Sequence, residues 1–312
     1  MINLKIGIPK AMLYYKFNIL WETFFTQIGC EIILSENTNK RILDNGIIYS
    51  ADESCLASKI YMGHIFSLIG KCDYVFIPRF CSFKNKDVIC VKFNAFYDIC
   101  SNVFDNIKIL TYDVDYLRGK SELLGFLEIG KKLGVSYMKT LRAYLIANQK
   151  YQKENGISAN KQNLCFEKSK KEDKLNILIV SHPYIVYDEL LGKPIILYLK
   201  KLDTNLIYAD VVDKKHVKNG WKNFSKTVYW KSSKELLNGL NNYLDLVDGV
   251  IFISVFTCGP DSLVNELCRR RLKEKPCLNL ILDELNSDTG IQTRLESFTD
   301  VLNDKKKVVL YG

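Results

Sequence analysis

Short apolar runs alternate along this chain with longer segments whose apolar residues recur at helical spacing. LKIGIP predicts a first strand, Ala11 to Ile28 a helix that Gly29 stops, and EIILS a second strand, which together make a βαβ opening. Helical patterns return at Asn39 to Asp44 and Leu56 to Ile69. DYVFIP then predicts a strand, Phe93 to Phe104 a helix, and IKILTY another strand. Ser121 to Gln152 predicts one long helical stretch, broken near Gly134. Residues 153–174 lose the apolar period and become polar and charged, which predicts an exposed linker or loop. Beyond it, NILIVS, NLIYAD, GVIFIS and CLNLIL predict strands apolar enough to be buried on both faces. Helices at Leu190 to Leu202, Lys234 to Val247, Ser262 to Lys273 and Gln292 to Leu302 fill the gaps.

Strands separated by helices imply parallel sheets with helices on both faces. The expected fold class is α/β: two doubly wound, Rossmann-like parallel-sheet domains with a helical connection. The expected boundaries are 1–152 for the first domain with its helical extension, 153–174 for the linker and 175–312 for the second domain. Length and composition agree, since 312 residues with 47% hydrophobic and 12% aromatic content supply two buried cores. The longest apolar runs, such as Gly249 to Phe256, fall far short of the roughly 20 residues that cross a bilayer. No apolar leader follows Met1, so no membrane association and a cytoplasmic location are expected.

The net charge of +9 is spread over scattered lysines, and no stripe or recognition motif accompanies it, so nucleic acid is not the expected partner. Acidic small molecules, such as those carrying phosphates, suit the excess better. Standard nucleotide and hydrolase devices are missing. G-I-P-K-A stands after the first strand where a dinucleotide site has G-x-G-x-x-G, and neither a P-loop nor a G-x-S-x-G elbow occurs. Three histidines cannot supply an imidazole-rich metal site, and His64, within a helical run, suits a core or surface role.

Ten cysteines in a chain expected in the cytoplasm point to burial or metal rather than disulfides. Cys30, Cys72, Cys100, Cys165, Cys268 and Cys277 sit in apolar or amphipathic contexts and read as small hydrophobes. The remaining chemistry collects at strand ends. Arg79 follows DYVFIP, His182-Pro183-Tyr184 follows NILIVS, Cys258 follows GVIFIS in T-C-G-P-D-S, and Asp283-Glu284 follows CLNLIL. In a parallel sheet these carboxyl ends share one rim, where ligands bind.

Gly259 and Pro260 force a turn after Cys258, and Asp261-Ser262 can cap the next helix, which puts the thiol beside the positive end of a helix dipole. That position suits a ligand or nucleophile; the plain alternative is a thiol tucked under the turn. Cys55 in A-D-E-S-C-L-A-S-K and Cys90 in V-I-C-V-K-F also precede helical runs. Singly each reads as structural, and together they form a set of three thiols at element ends. Their long separations differ from C-x₂-C spacing, so only the tertiary fold can gather them on one metal. Lys59 lies four residues after Cys55 on the same helical face, where it balances negative charge or is simply solvated.

The segments GIPKAMLYYKFNILWETFFTQIGCEIILSENTNKRIL, ADESCLASKIYMGHI, YVFIPR, SHPYIVYDE, FTCGPDSLVNEL and LDELNSDTGIQTRLESF resemble, in order and over nearly the whole chain, the activase-associated family of the 2-hydroxyacyl-CoA dehydratase and benzoyl-CoA reductase superfamily. The resemblance implies two α/β domains with a four-iron four-sulfur cluster held between them by Cys55, Cys90 and Cys258, one iron being left open. A double-cubane cluster, joined across a homodimer, stays open as an alternative. Arg79, Asp261 and Lys59 are expected around the cofactor, and His182, Tyr184 and Glu284 are the candidate catalytic groups.

The resemblance also implies a separate ATP-dependent activase as electron donor and a CoA thioester or other small molecule as substrate. Lacking a phosphate loop, this chain resembles the electron-accepting side of that anaerobic pair. It departs from the family pattern twice. C-V-K-F lacks the proline that commonly follows the cysteine, and D-E-L-N-S places Leu285 where a histidine is expected. The second change removes a proton donor or a supporting hydrogen bond, so a non-catalytic accessory protein that scaffolds an activase complex remains the alternative. Cys81 in P-R-F-C-S is a substitute ligand for Cys90.

Overall fold

The computed structural model describes residues 4–212, 219–272, 275–285 and 288–311. The chain divides into two compact units, Met1–Glu154 with Tyr229–Lys231, and Asn155–Val228 with Ser232–Gly312. Both are α/β with parallel sheets.

In the first unit β1 (Lys5–Ile8), α1 (Tyr14–Ile28) and β2 (Glu31–Leu34) form the βαβ opening. Tyr14, Phe17, Leu20, Trp21, Phe24, Phe25 and Ile28 recur every three or four residues and bury one face of α1. Gly29 ends it at φ 97, a left-handed position that glycine takes without strain, and its N–H returns to the Phe25 and Thr26 carbonyls. Residues 11–13 form a turn rather than the first turn of the helix.

There follow α2 (Lys40–Ile48), α3 (Leu56–Leu68), β3 (Tyr74–Phe76), β4 (Arg79–Ser82), α4 (Lys92–Val103), β5 (Ile109–Leu110), β6 (Asp113–Asp115) and α5 (Glu122–Lys132). The main sheet has the order β2-β1-β3-β5, all parallel. The sequence pattern misses β4 and β6, which pair with each other beyond Pro78. Pro78 breaks the apolar run, yet the ladder continues past it, with Ile77 N–H on the Leu110 carbonyl and Arg79 N–H on that of Tyr112, both at 2.9 Å. Helices α2 and α3 meet at glycines. A Cβ on Gly46 would stand 1.9 Å from the Lys59 carbonyl oxygen, and one on Gly63 as close to that of Ile42.

Helix α6 (Tyr137–Ser169) begins after Gly134, the break that the pattern predicts, and the unit boundary falls within it. It corrects one expectation: of residues 153–174, expected as an exposed linker or loop, residues 153–169 are helical. Their buried stripe is thin, made by Ala159 and Phe166, and is completed by Gln162, whose amide donates to the Tyr208 carbonyl at 2.9 Å. A face built on alanine and glutamine leaves little trace in hydropathy.

The second unit holds β7 (Asn176–Val180), α7 (Pro183–Val186), α8 (Gly192–Lys201), β8 (Asn205–Tyr208), α9 (Lys231–Tyr243), β9 (Gly249–Val255), α10 (Gly259–Arg271), β10 (Cys277–Leu282) and α11 (Asp288–Tyr311). Its parallel sheet runs β10-β9-β7-β8. Every residue of central β9 is buried, whereas the outer strands β8 and β10 are buried only in part. Lys273, the expected end of α10, lies outside the described residues. Among those described, no helix is long and apolar enough to cross a membrane.

Candidate functional site

In the second unit the strand order reverses between β7 and β9, and the chain leaves the two strands toward opposite sides. A crevice at their carboxyl ends is the general consequence. His182 caps α7 just past β7, and Cys258 caps α10 just past β9. Asp261, in the first turn of α10, reaches both. Its Oδ1 lies 2.8 Å from His182 Nε2, and its carboxylate also accepts a hydrogen bond from the Cys258 side chain. His182 and Asp261 are 4% and 6% exposed, so the pair is shielded from bulk solvent.

Burial by itself pushes the Asp261 carboxyl up. The charge of His182 and the hydrogen bonds from His182 and Cys258 outweigh it, and together hold the carboxyl below its ordinary range. Tyr184 stacks on His182, with ring centroids 5.0 Å apart and planes 14° from parallel. Thiol, carboxylate and imidazole thus form a chain with the carboxylate in the middle. A thiol activated as a nucleophile meets its base directly; here the base position is filled by Asp261, and His182 supports it. The Ser262 hydroxyl donates to the Cys258 carbonyl at 2.7 Å and fixes the cap. At the end of β10, Glu284 is half-buried, with its N–H on Asp283 Oδ1, and Leu285 is 87% exposed.

Cys55, Cys90, Lys59 and Arg79 belong to the first unit. Cys55 caps α3, half-buried, with its sulfur 3.1 Å from the Ser58 hydroxyl. Cys90, also half-buried, stands just before α4, and its carbonyl accepts the Phe93 N–H at 3.1 Å. Lys92 Nζ donates to the Ser54 hydroxyl at 3.4 Å, which ties the start of α4 to the start of α3. Lys59 is buried one turn into α3. Arg79 opens β4 instead of ending a strand, and α4 occupies it: Asp98 at 2.9 Å, Asn94 at 3.2 Å and the Tyr97 ring beneath its guanidinium.

The other cysteines divide by environment. Burial pushes the thiols of Cys100 and Cys268 up to about 12 and that of Cys30 up to about 11, which keeps them protonated. Cys81 is also raised, by burial first and by the Asp115 charge next, a poor setting for a thiolate ligand. Cys165 is exposed on α6.

Soft thiols at helix starts are chemically suited to an iron–sulfur cluster. Cys55 and Cys90 lie in one unit and Cys258 in the other. Among the described residues, no three or more His, Cys, Asp or Glu side chains are grouped so as to hold a metal ion. Sequence reasoning missed Ser181 and Ser233, buried hydroxyls beside the His182–Asp261 pair. The strand-end rule alone could have found Ser181, which directly follows β7.

The family model described as a CoA enzyme activase uncharacterised domain (DUF2229) matches residues 5–212, about two thirds of the chain. None of the curated proteins compared matches it. Among solved structures, a mutant Mn-bound periplasmic metal binding protein from Candidatus Liberibacter asiaticus is 11% identical, covering 96% of this chain and 99% of its own, at a TM-score of 0.28. The laminin-binding adhesin of Streptococcus agalactiae is 12% identical over the same shares, at 0.27. The laminin-binding protein of Streptococcus pyogenes is 10% identical, again over the same shares, at 0.26. Likeness this slight carries nothing about fold or function.

Proposed function

Since the chain belongs to the family of the CoA enzyme activase uncharacterised domain, we propose that it is the electron-accepting, substrate-reducing or dehydrating component of an ATP-dependent, activase-coupled system. The proposal places it in the 2-hydroxyacyl-CoA dehydratase and benzoyl-CoA reductase superfamily and in the cytoplasm. Its cofactor is an iron–sulfur cluster held by Cys55, Cys90 and Cys258. The observation that carries this reading is the placement of Cys55 and Cys258 as the caps of helix starts, where the helix dipole favours the thiolate that ligates iron.

When bound, such a cluster supplies one-electron chemistry and an open iron for a substrate oxygen. The protein's part is to orient the thiols. Without the cluster the Cys258 thiol donates to Asp261, a bond that ligation as a thiolate would end, and His182 holds Asp261. Ser58 lies against the sulfur of Cys55. Electrons would come from a separate ATP-hydrolysing activase, and the substrate class is an acyl-CoA thioester.

Anaerobic reconstitution should give about four irons and matching sulfide per chain. Cys258→Ser and Cys55→Ser should each lose most of that iron. Mixing the reconstituted protein with an activase, a strong reductant and ATP should then produce an electron paramagnetic resonance signal that needs ATP. Reduction without ATP, or none with it, rejects the coupling; no iron after reconstitution rejects the cluster. A second reading, an accessory scaffold without turnover, is favoured by the 87% exposed Leu285 where the family expectation is a histidine. It predicts activase binding with no thioester conversion.

A further inference from the structure

A second polar feature lies at the same strand reversal in the second unit. Ser181, at the end of β7, is 3% exposed, and Ser233, in the first turn of α9, is 2% exposed. Neither hydroxyl has a hydrogen-bond partner among the described residues. Buried polar groups are normally paired, and one without a protein partner is where an ordered water is expected. Two such groups line one pocket, together with His182, Asp261 and Asn265.

The size of that pocket decides what it can hold. Its cavity is about 10 Å³, room for about one water molecule. Ser181, Ser233, Asp261 and Asn265 are among its lining residues, and a buried water needs two to four polar partners. A pocket of the same size at the strand reversal of the first unit is lined instead by Trp21, Tyr61, Phe76, Phe93 and Phe96. Apolar space of that kind stays dry.

We infer that the polar pocket of the second unit is a binding site for a single water molecule, which bridges the Ser181 and Ser233 hydroxyls beside the His182–Asp261 pair. The bridge joins the end of β7 to the start of α9. It thereby fixes the peptide from which His182 projects, and so the carboxylate that meets Cys258. This site does not depend on the proposed cofactor or substrate, and its test needs neither.

The test is a high-resolution crystal structure of the unmodified protein, with unfolding curves of Ser181→Ala, Ser233→Ala and the double variant. A single density peak within hydrogen-bonding distance of both hydroxyls is expected. Each single alanine should lower the midpoint temperature by roughly 2–4 °C. The double variant should fall by clearly less than the sum, because both substitutions remove the same bridge. Hydroxyls turned onto main-chain carbonyls with no peak between them would overturn the inference. Additive shifts in the double variant, or density for a larger molecule, would do so equally.

Discussion

His64 in the first unit and His182 in the second are both buried, in units whose parallel sheets have the same strand order, yet they are held by different chemistry. His64 lies between two hydroxyls, with Ser35 Oγ 2.8 Å from Nδ1 and Thr38 Oγ1 3.0 Å from Nε2. Burial, aided by the nearby Lys10 charge and opposed by Glu36, drives its pKa down to about 3. It is a neutral stitch between α3 and the chain after β2. His182 faces a carboxylate that also receives a thiol. The same residue type in the same fold is therefore a core fastener in one unit and the support of a candidate ligand in the other. Its partners, not its burial, make the difference.

The sharpest way to break this comparison is to remove each partner. Asp261→Ala leaves His182 buried without its carboxylate, and truncating one member of a buried pair costs about 3–5 kcal/mol. Urea unfolding should show a loss of that size. A loss below about 1 kcal/mol would mean that the pair is open to solvent and that the two histidines are held alike.

Acid should expose the first unit's histidine next. The unfolded chain protonates His64 near pH 6.5, while the folded unit resists until about pH 3. Between those values the unfolded state binds more protons, so stability falls as pH drops, by about 1.4 kcal/mol per pH unit. At pH 4.5 the contribution amounts to about 2.7 kcal/mol. His64→Gln should be less stable at neutral pH but show a flatter acid limb. If its curve runs parallel to that of the parent protein from pH 7 to 4.5, the imidazole is charged in the fold.

The smallest effect belongs to Ser35→Ala. It removes a neutral partner shared by the His64 ring and the Lys10 N–H, a cost of about 1–2 kcal/mol. Thermal unfolding beside Asp261→Ala ranks the two directly. A Ser35→Ala loss equal to that of Asp261→Ala would erase the distinction between hydroxyl and carboxylate.

The strands were legible because a buried parallel strand must be apolar along its whole length. KIGI, NILIV and GVIFISV announce themselves, and Gly29 and Gly134 mark real breaks. The continuation of two strands as β4 and β6 was hidden, since Pro78 looks like a stop and only the ladder on the neighbouring strand carries the sheet past it. Helix α6 was hidden beyond residue 152 because its buried face uses Ala159 and Gln162. The rim residues followed from the strand-end rule, and His182 and Asp261 do meet. What they make was not legible: Arg79 reads as a rim group but is spent on Asp98.

The sequence by itself determined the α/β class, the placement of most strands and helices, and the positions of Cys55, Cys90 and Cys258 at helix starts. These follow from local rules, in which hydrophobic period, capping residues and turn residues act within a few positions of one another. Only the tertiary structure decided that Asp261 stands between Cys258 and His182, that His64 answers to two hydroxyls, and that Ser181 and Ser233 share a pocket. Those pairings join residues on separate elements, 79 positions apart for His182 and Asp261. Their chemistry depends on desolvation, which no local stretch of sequence records, because only packing against the rest of the unit removes the water.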